Sequence, residues 1–397
     1  MKMQKYWGVE KELPEEIIEK ILLKMPVKDL IRFSAVCKSW NSFIRNPRFI
    51  QTHLKNQTDN GNSELLLLLS SYQSDDLHRD NPAALFGQYS NLLNPIHNHN
   101  KSNPTNHLCY QVVGTWNGLV CLSVFSLRGA PWPIILWNPY IRKVRFLPSP
   151  SCPSGSCTSG LCENYFFGYD SRINDYKVVR IVMQSYLDTT VEVEVWSLAR
   201  GGAWKSLNNN VPVGSALDTY HHAFVNGAIH WVQDHQTNQQ KEEEFIVSIV
   251  ALDMVDESFR NLEIRQTRRE IRQTRRERPP RISKYHGDGV MCWLALFEFV
   301  SHSSFNLWVM KEYGVAESWT KLFNVCLLSP EEGPCIKPFG FTKSGQVVVK
   351  LGDETLKSYD PKDKQFRDFG NRGYVYYFMD SFVESLVLLD QTNASSY

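Results

Sequence analysis

The feature that most constrains the fold of this chain is a degenerate unit that recurs five times between residues 118 and 369. In each unit, an apolar segment after a glycine leads to a second segment with one large apolar anchor and then to a short return segment. Turn formers such as Asn138-Pro139 and Asp360-Pro361 separate the second and third segments, as they do in β-hairpins. The anchors are spaced 59, 56, 56 and 51 residues apart and are Trp137, Trp196, Leu252, Trp308 and Tyr359.

A period of this length predicts a specific architecture. Short strands that repeat about every 50 residues are typical of a β-propeller, in which each blade buries its faces against its neighbours. The predicted second strands are residues 134–138, 191–197, 249–253, 305–309 and 356–360. A sixth blade would pair residues 64–72 with residues 374–389 and close the ring. We therefore predict a mostly antiparallel, all-β, kelch-like propeller of about six blades, with an irregular β-sandwich as the alternative.

A second, helical unit precedes the repeats. Pro14 suits the first position of a helix, and two glutamates follow it at the positive end of the helix dipole. Pro26 disfavours continuation of this helix, and Ser34 and Pro47 mark the starts of further short helices. One side of the first helix is apolar and consists of Ile17, Ile18, Ile21, Leu22 and Met25. The fold class is therefore α+β and multidomain.

The helical unit is too small to be stable alone. About 40 residues with one cysteine cannot rely on disulfides, so the apolar side must pack on the rest of the chain or on a partner. The periodicity leaves both alternatives open.

The motifs of the helical unit resemble those of a known domain. Leu13-Pro14, Met25-Pro26-Val27-Lys28-Asp29-Leu30 and Val36-Cys37-Lys38-Ser39-Trp40 closely resemble the F-box of plant F-box proteins. The resemblance implies binding to a Skp-type adaptor and, through it, to cullin and RING subunits. The residues that it places at the adaptor are Leu13, Pro14, Ile17, Ile18, Ile21, Leu22, Leu30, Cys37 and Trp40, the last three shared between interface and internal packing.

The repeats resemble the type 1 F-box associated domain of the same plant proteins. The motifs that carry this resemblance are Trp137-Asn138-Pro139, Phe167-Gly168-Tyr169-Asp170, Asp175-Tyr176-Lys177-Val178-Val179 and Val225-Asn226-Gly227-Ala228-Ile229-His230-Trp231. The expected domains are an F-box over residues 9–54, a first strand and polar linker over 55–109, and the propeller over 110–390.

Composition limits the partners and the compartment. Lys plus Arg is 43 against 42 for Asp plus Glu, so net charge gives no reason to expect nucleic acid or an anionic membrane as the main partner. Nine cysteines without a secretory leader favour a reducing compartment, so we expect an intracellular protein of the cytoplasm, the nucleus or both.

Neither catalysis nor metal binding is predicted. The chain has no Gly-x-Ser-x-Gly elbow, Gly-x-Gly-x-x-Gly loop or P-loop. Several cysteines and histidines could be considered as metal ligands, but they lack the close spacing of known zinc ligands and lie in polar loops or beside a strand. They are Cys152, Cys157, Cys162, His97, His99, His221 and His222. Asp170, Asp253 and Asp360 are the acids that a propeller active site would use, but turn capping explains them more simply. No cofactor is expected.

The most unusual segment is a perfect tandem heptad, residues 263–269 and 270–276, with six arginines and two glutamates. It is a solvated insertion, a nuclear import signal, or a docking patch for RNA or an acidic protein. Loops 149–163 and 263–285 are the candidates for target binding. We expect a substrate-recognition subunit of an SCF-type E3 ubiquitin ligase that is not itself an enzyme; the alternative is an RNA or acidic-protein binder that uses the arginine-rich loop.

Overall fold

The computed structural model describes residues 14–59, 64–70, 84–85, 108–126, 134–150, 162–183, 191–207, 216–236, 245–264, 280–286, 292–326, 335–342, 344–352, 355–368 and 376–396. Leu13, His97, His99, Cys152, Cys157 and nearly all of the tandem heptads lie outside these residues. The described chain consists of four short helices followed by a ring of antiparallel sheets.

The four helices are α1 Glu15–Leu22, α2 Val27–Phe33, α3 Lys38–Ile44 and α4 Pro47–Asp59. Pro14 and Pro26 stand directly before α1 and α2 in extended conformations, which is where a residue without an N–H is tolerated. In none of the described helices is there a span long and apolar enough to cross a membrane.

The other described elements are strands, apart from one turn of 3₁₀ helix at Ala316–Ser318. In chain order they are β1 Glu64–Ser70, β2 Ala84–Leu85, β3 Leu108–Trp116, β4 Leu119–Ser126, β5 Ile134–Asn138, β6 Lys143–Phe146, β7 Cys162–Asp170, β8 Asp175–Met183, β9 Val191–Ser197, β10 Lys205–Leu207, β11 Ala216–Val225, β12 Ala228–Gln236, β13 Phe245–Asp253, β14 Phe259–Leu262, β15 Arg281–His286, β16 Cys292–Ser301, β17 Ser304–Met310, β18 Trp319–Cys326, β19 Lys337–Phe341, β20 Val347–Lys350, β21 Leu356–Asp360, β22 Gln365–Asp368, β23 Tyr376–Phe382 and β24 Ser395–Ser396.

These strands form a closed β-propeller. Blades 1 to 5 each contain four consecutive strands, β3–β6, β7–β10, β11–β14, β15–β18 and β19–β22. The first strand of each blade contacts the first strand of the next, and β23 contacts both β19 and β3, so the ring closes. Within the described residues, the ring therefore has five blades of four consecutive strands each, whereas about six blades were expected; the sixth position holds a three-stranded sheet in the order β2-β1-β23.

The closing sheet joins the two ends of the propeller sequence. β1 pairs with β23 in antiparallel register from Glu64↔Phe382 to Ser70↔Tyr376. This is the pairing that the sequence predicted for the closure of the ring.

Each repeat contains one more strand than the sequence pattern showed. The pattern recognised the second to fourth strands of each blade, and its predicted bounds for β5, β9 and β21 are confirmed. It did not recognise the innermost strands, and the predicted loop over residues 263–285 is wrong at its end, because Arg281–His286 is the innermost strand of blade 4. The inner strands carry few consecutive apolar residues, so they lack the signal of the anchored strands.

Asn-Gly turns and buried tryptophans account for the hairpins and the packing of the blades. Asn117-Gly118 and Asn226-Gly227 occupy two-residue turns between paired strands, with φ angles of 51° and 78° in the first turn and 50° and 75° in the second. Asn and Gly adopt positive φ at low cost and so favour this hairpin turn. The side chains of Trp137, Trp196 and Trp231 are fully buried.

The segment after the closing strand returns to blade 1. Residues 383–396, here called the strap, end in β24, which pairs with the outer strand β6 through Ser395↔Val144 and Ser396↔Lys143. One apolar core contains residues of all four helices, the strap and blades 1 and 2. The helices and the propeller are therefore packed together.

Candidate functional site

The first helix starts without a side-chain cap. Pro14 O accepts hydrogen bonds from Ile17 N at 2.9 Å and from Ile18 N at 3.2 Å, so the helix begins directly after the proline. Glu15 and Glu16 lie in the first turn, where their charge complements the exposed N–H groups of the helix. This end of α1 is on the surface, since Pro14 and both glutamates are exposed.

The apolar side of α1 is divided into an exposed and an inward-facing row. Ile17 is 40% exposed and Ile21 is 47% exposed, and their spacing of four residues places them one above the other. Ile18 is partly buried, and Leu22 is only 2% exposed. We call Pro14, Ile17 and Ile21 the α1 ridge. It is an apolar surface that the described chain does not cover.

The other predicted adaptor residues divide between surface and core. Leu30 is fully buried, and like Leu22 it belongs to the core that continues into the propeller. Cys37 is exposed, and its Sγ accepts a hydrogen bond from Trp40 N at 3.4 Å at the start of α3. Trp40 is partly buried and packs edge-on against Phe33 at 5.6 Å between ring centroids. Leu22 and Leu30 are therefore not on the surface that the helices offer to a partner.

Sequence reasoning missed Val36, which is 67% exposed in the turn between α2 and α3. No periodic pattern marks a single apolar residue in a turn.

A buried histidine holds the helical unit together. His53 of α4 is fully buried, and its Nε2 lies 2.8 Å from Met25 O, to which the neutral ring donates. Burial lowers the pKa of His53, and the hydrogen bond to Met25 opposes this shift. The neutral ring thus ties α4 to the end of α1 and supports the helix that carries the ridge.

The two ends of the propeller differ in what they contact. The strap approaches the turn between β3 and β4, where a Cβ at Gly118 would clash with Ser385 Oγ. The strap also accepts hydrogen bonds from Asn138, which precedes the turn between β5 and β6. Strands of an antiparallel sheet alternate in direction, so the connections between blades leave from the opposite end of the ring. We call these the strap end and the open end.

The candidate target loops 149–163 and 263–285 connect β6 to β7 and β14 to β15, whose connected ends lie at the open end. Both predicted loops extend too far, because Cys162–Asp170 and Arg281–His286 are strands, and residues 151–161 and 265–279 lie outside the described residues. Ile264, the first apolar residue of the heptads, is buried between blades 3 and 4.

The candidate acids cap turns. Asp170 Oδ1 accepts from Arg172 N at 3.1 Å, Asp253 Oδ1 from Val255 N at 2.8 Å, and Asp360 Oδ1 from Lys362 N at 2.9 Å. Each carboxylate therefore stabilises its own turn, as the simpler interpretation predicted. His222 Nε2 lies 2.6 Å from Val113 O and joins blade 3 to blade 1. In the described part of the chain, no group of three or more His, Cys, Asp and Glu side chains is placed to hold a metal ion.

Two family models match this chain. The F-box domain matches residues 11–52, and the F-box associated beta propeller domain matches residues 60–389. The chain belongs to the F-box proteins with an F-box associated beta propeller. This pairing of domains supports a role in substrate recognition, and receptors of this family are typically non-catalytic. The F-box in general supports binding to a Skp-type adaptor.

Curated relatives of this F-box protein come from Arabidopsis thaliana. An F-box/kelch-repeat protein is 27% identical over 332 residues, which are 79% of this chain and 79% of the relative. F-box protein CPR1 is 26% identical over 376 residues, which are 89% of this chain and 83% of the relative. Among solved structures, this chain is similar to the Dos1 propeller. The alignment covers 79% of this chain and 81% of the Dos1 chain, at 11% sequence identity and a TM-score of 0.38.

Proposed function

We propose that this F-box protein is the substrate-recognition subunit of an SCF-type E3 ubiquitin ligase and acts inside the cell. The F-box would bind a Skp-type adaptor, and through it cullin and RING subunits, while the propeller holds the target protein. The observation that supports this most directly is the α1 ridge, an uncovered apolar row on a helical unit whose other helices bury Val27, Leu30, Ile44 and Phe49 in the core. Exposed apolar rows of this kind mark protein interaction sites.

The α1 ridge has the chemistry of a helix-mediated interface. Ile17 and Ile21 give a partner two aliphatic contacts one helical turn apart, and exposed Val36 and Cys37 add contacts from the turn before α3. Lys20, which is exposed, lies beside the ridge on α1, and exposed Lys24 follows just after the helix; both can form the polar rim that surrounds an apolar interface.

The proposed mechanism is proximity. A receptor that holds its target beside a charged ubiquitin-conjugating enzyme raises the effective concentration of the target's lysines, so this chain needs no catalytic residue. The F-box contacts the strap through Arg45 and Leu389, and we assign the target to the open end and its connections. Loops on a rigid scaffold are where recognition residues usually lie.

Co-purification with a Skp-type adaptor tests the proposal. The parent chain should retain the adaptor, and Ile17→Asp combined with Ile21→Asp should lose it, because both changes put charge into the apolar contact. A second variant, Leu13→Ser with Pro14→Ala, tests the segment that leads into α1.

Ile173→Asp is the matched control, because Ile173 is 56% exposed on the propeller between β7 and β8. The control should bind the adaptor as the parent does. Failure of a folded parent chain to retain any Skp-type adaptor would refute the ligase proposal, and equal loss in the control would show that the effect is not specific to the α1 ridge.

A further inference from the structure

The strap makes a continuous set of contacts along blade 1. The side chains of Val383, Leu386, Val387, Leu388 and Leu389 are buried there. Further along, Arg145 Nη1 donates to Gln391 Oε1 at 2.9 Å, and Lys143 Nζ donates to Ala394 O at 2.9 Å. The strap thus follows blade 1 from its end to its outer edge.

The residue that closes the turn after β5 differs from its equivalents in blades 3 and 5. Asn138, Asp253 and Asp360 each end the third strand of their blade, and each Oδ1 accepts from the N–H two residues later. This turn requires only an acceptor, which either Asn or Asp supplies. The turn alone therefore does not explain an amide in blade 1.

The second atom of each side chain explains the difference. Oδ2 of Asp253 faces Arg260 at 3.7 Å, and Oδ2 of Asp360 faces Arg367 at 3.3 Å. In blade 1, Asn138 Nδ2 instead donates to Ser385 O at 3.0 Å and to Val387 O at 2.9 Å. Asn138 is fully buried, so a carboxylate here would lie against two carbonyl oxygens without water. The amide of Asn138 is suited to holding the strap.

The strap is also bound to the F-box. Arg45, directly after α3, donates from Nη1 to Leu389 O at 2.8 Å. Burial, and after it the positive charge of Arg45, lowers the pKa of Lys143 of β6. The helices, the strap and blades 1 and 2 share one apolar core. Within it, Arg45 is the described F-box side chain that hydrogen-bonds to the strap, and the strap in turn is held to blade 1 by Asn138, Lys143 and Arg145.

We propose that residues 383–396 fix the orientation of the F-box on the propeller, with Asn138 holding the strap to blade 1 and Arg45 holding the F-box to the strap. The functional consequence rests on the proposed ligase role: the receptor would present its target at one distance and angle from the ubiquitin-conjugating enzyme.

The first experiment measures hydrogen exchange of the strap amides in the full chain at pH 8, about four units above the ordinary pKa of an aspartate side chain. Asn138→Asp keeps the turn acceptor but removes the donor, so exchange in residues 383–394 should rise at least tenfold. The matched control is Asp360→Asn, the reverse exchange in a turn that the strap does not touch, and it should leave strap exchange unchanged.

The second experiment measures F-box orientation by small-angle X-ray scattering of the same chains. Asn138→Asp and Arg45→Ala should each broaden the distribution of interatomic distances, because the helices are no longer held in one position. Arg48→Ala, three residues further along the chain and exposed, should behave as the parent.

Three results would overturn the inference. One is unchanged strap exchange in Asn138→Asp, and another is an equal rise in Asp360→Asn. The third is faster strap exchange with scattering identical to the parent, which would show that the strap does not set the orientation. Since both measurements use the chain alone, a failure to bind the adaptor refutes the proposed function without affecting this result.

Discussion

The aromatic anchors of the propeller and the apolar side of the first helix differ in how completely the protein covers them. The propeller buries Trp137, Trp196 and Trp231 completely, between strands that repeat around a closed ring. The helical unit, which is much shorter, leaves Ile17, Ile21 and Val36 on its surface. A closed ring can cover its own apolar faces, whereas a small helical unit covers one row of a helix and leaves the next for a partner.

The largest loss of stability should come from a substitution at an aromatic anchor of the propeller. Trp137→Ala removes a fully buried ring between blade strands and should lower the free energy of unfolding by about 3 to 5 kcal/mol. Chemical denaturation followed by circular dichroism measures the change. A loss below about 1 kcal/mol would show that the anchors do not stabilise the blades through burial.

Acid should destabilise both regions through buried neutral histidines. Burial lowers the pKa of His230 to about 4, although the hydrogen bond between its ring and Ala223 O acts to raise this pKa. Burial also lowers the pKa of His53. Below about pH 6.5 the unfolded chain binds protons that the folded chain does not, so stability falls as the pH decreases.

The His230 shift corresponds to about 3 kcal/mol lost by pH 4, relative to pH 7. Unfolding midpoints measured between pH 7 and pH 4 test this. His230→Gln should flatten the profile but leave the part that arises from His53. A profile identical to the parent's would contradict the assignment to His230.

The comparison can be sharpened within one helix, at neighbouring residues. Leu22→Ala should lower the free energy of unfolding by about 2 to 3 kcal/mol, because Leu22 is 2% exposed. Ile21→Ala should change it by less than about 0.5 kcal/mol, because Ile21 is 47% exposed. Thermal unfolding of both variants beside the parent measures the difference, and equal effects would show that the two rows of α1 are not distinct.

The sequence predicted those parts of the fold that repeat. The anchors and the turn formers placed β5, β9 and β21 correctly, and the pairing of the two ends of the propeller was predicted as well. The innermost strands were not predicted. β15 and β19 carry residues such as Lys284 and Pro338, and their identity as strands depends on pairing within a blade and contact around the ring.

The candidate site was predicted only as one side of a helix. Periodicity places Ile17, Ile21 and Leu22 together, and it cannot tell which row faces the protein's own core. That distinction depends on how α4 folds back through His53 and on where the strap lies, both of which are long-range contacts. For the same reason, Asn138 was recognised as part of a turn motif while its hold on Ser385 and Val387 was not.

The pairing of β1 with β23 also has a consequence for synthesis on the ribosome. β1, whose sequence includes the run Leu65 to Leu69, emerges early, but its partner strand follows only after all five four-stranded blades. Until then β1 has an unpaired edge, which is a site for wrong pairing and for chaperones. A nascent chain that stops before β23 leaves this leucine-rich edge without its partner strand. Complete and truncated propellers therefore differ in whether this edge is paired.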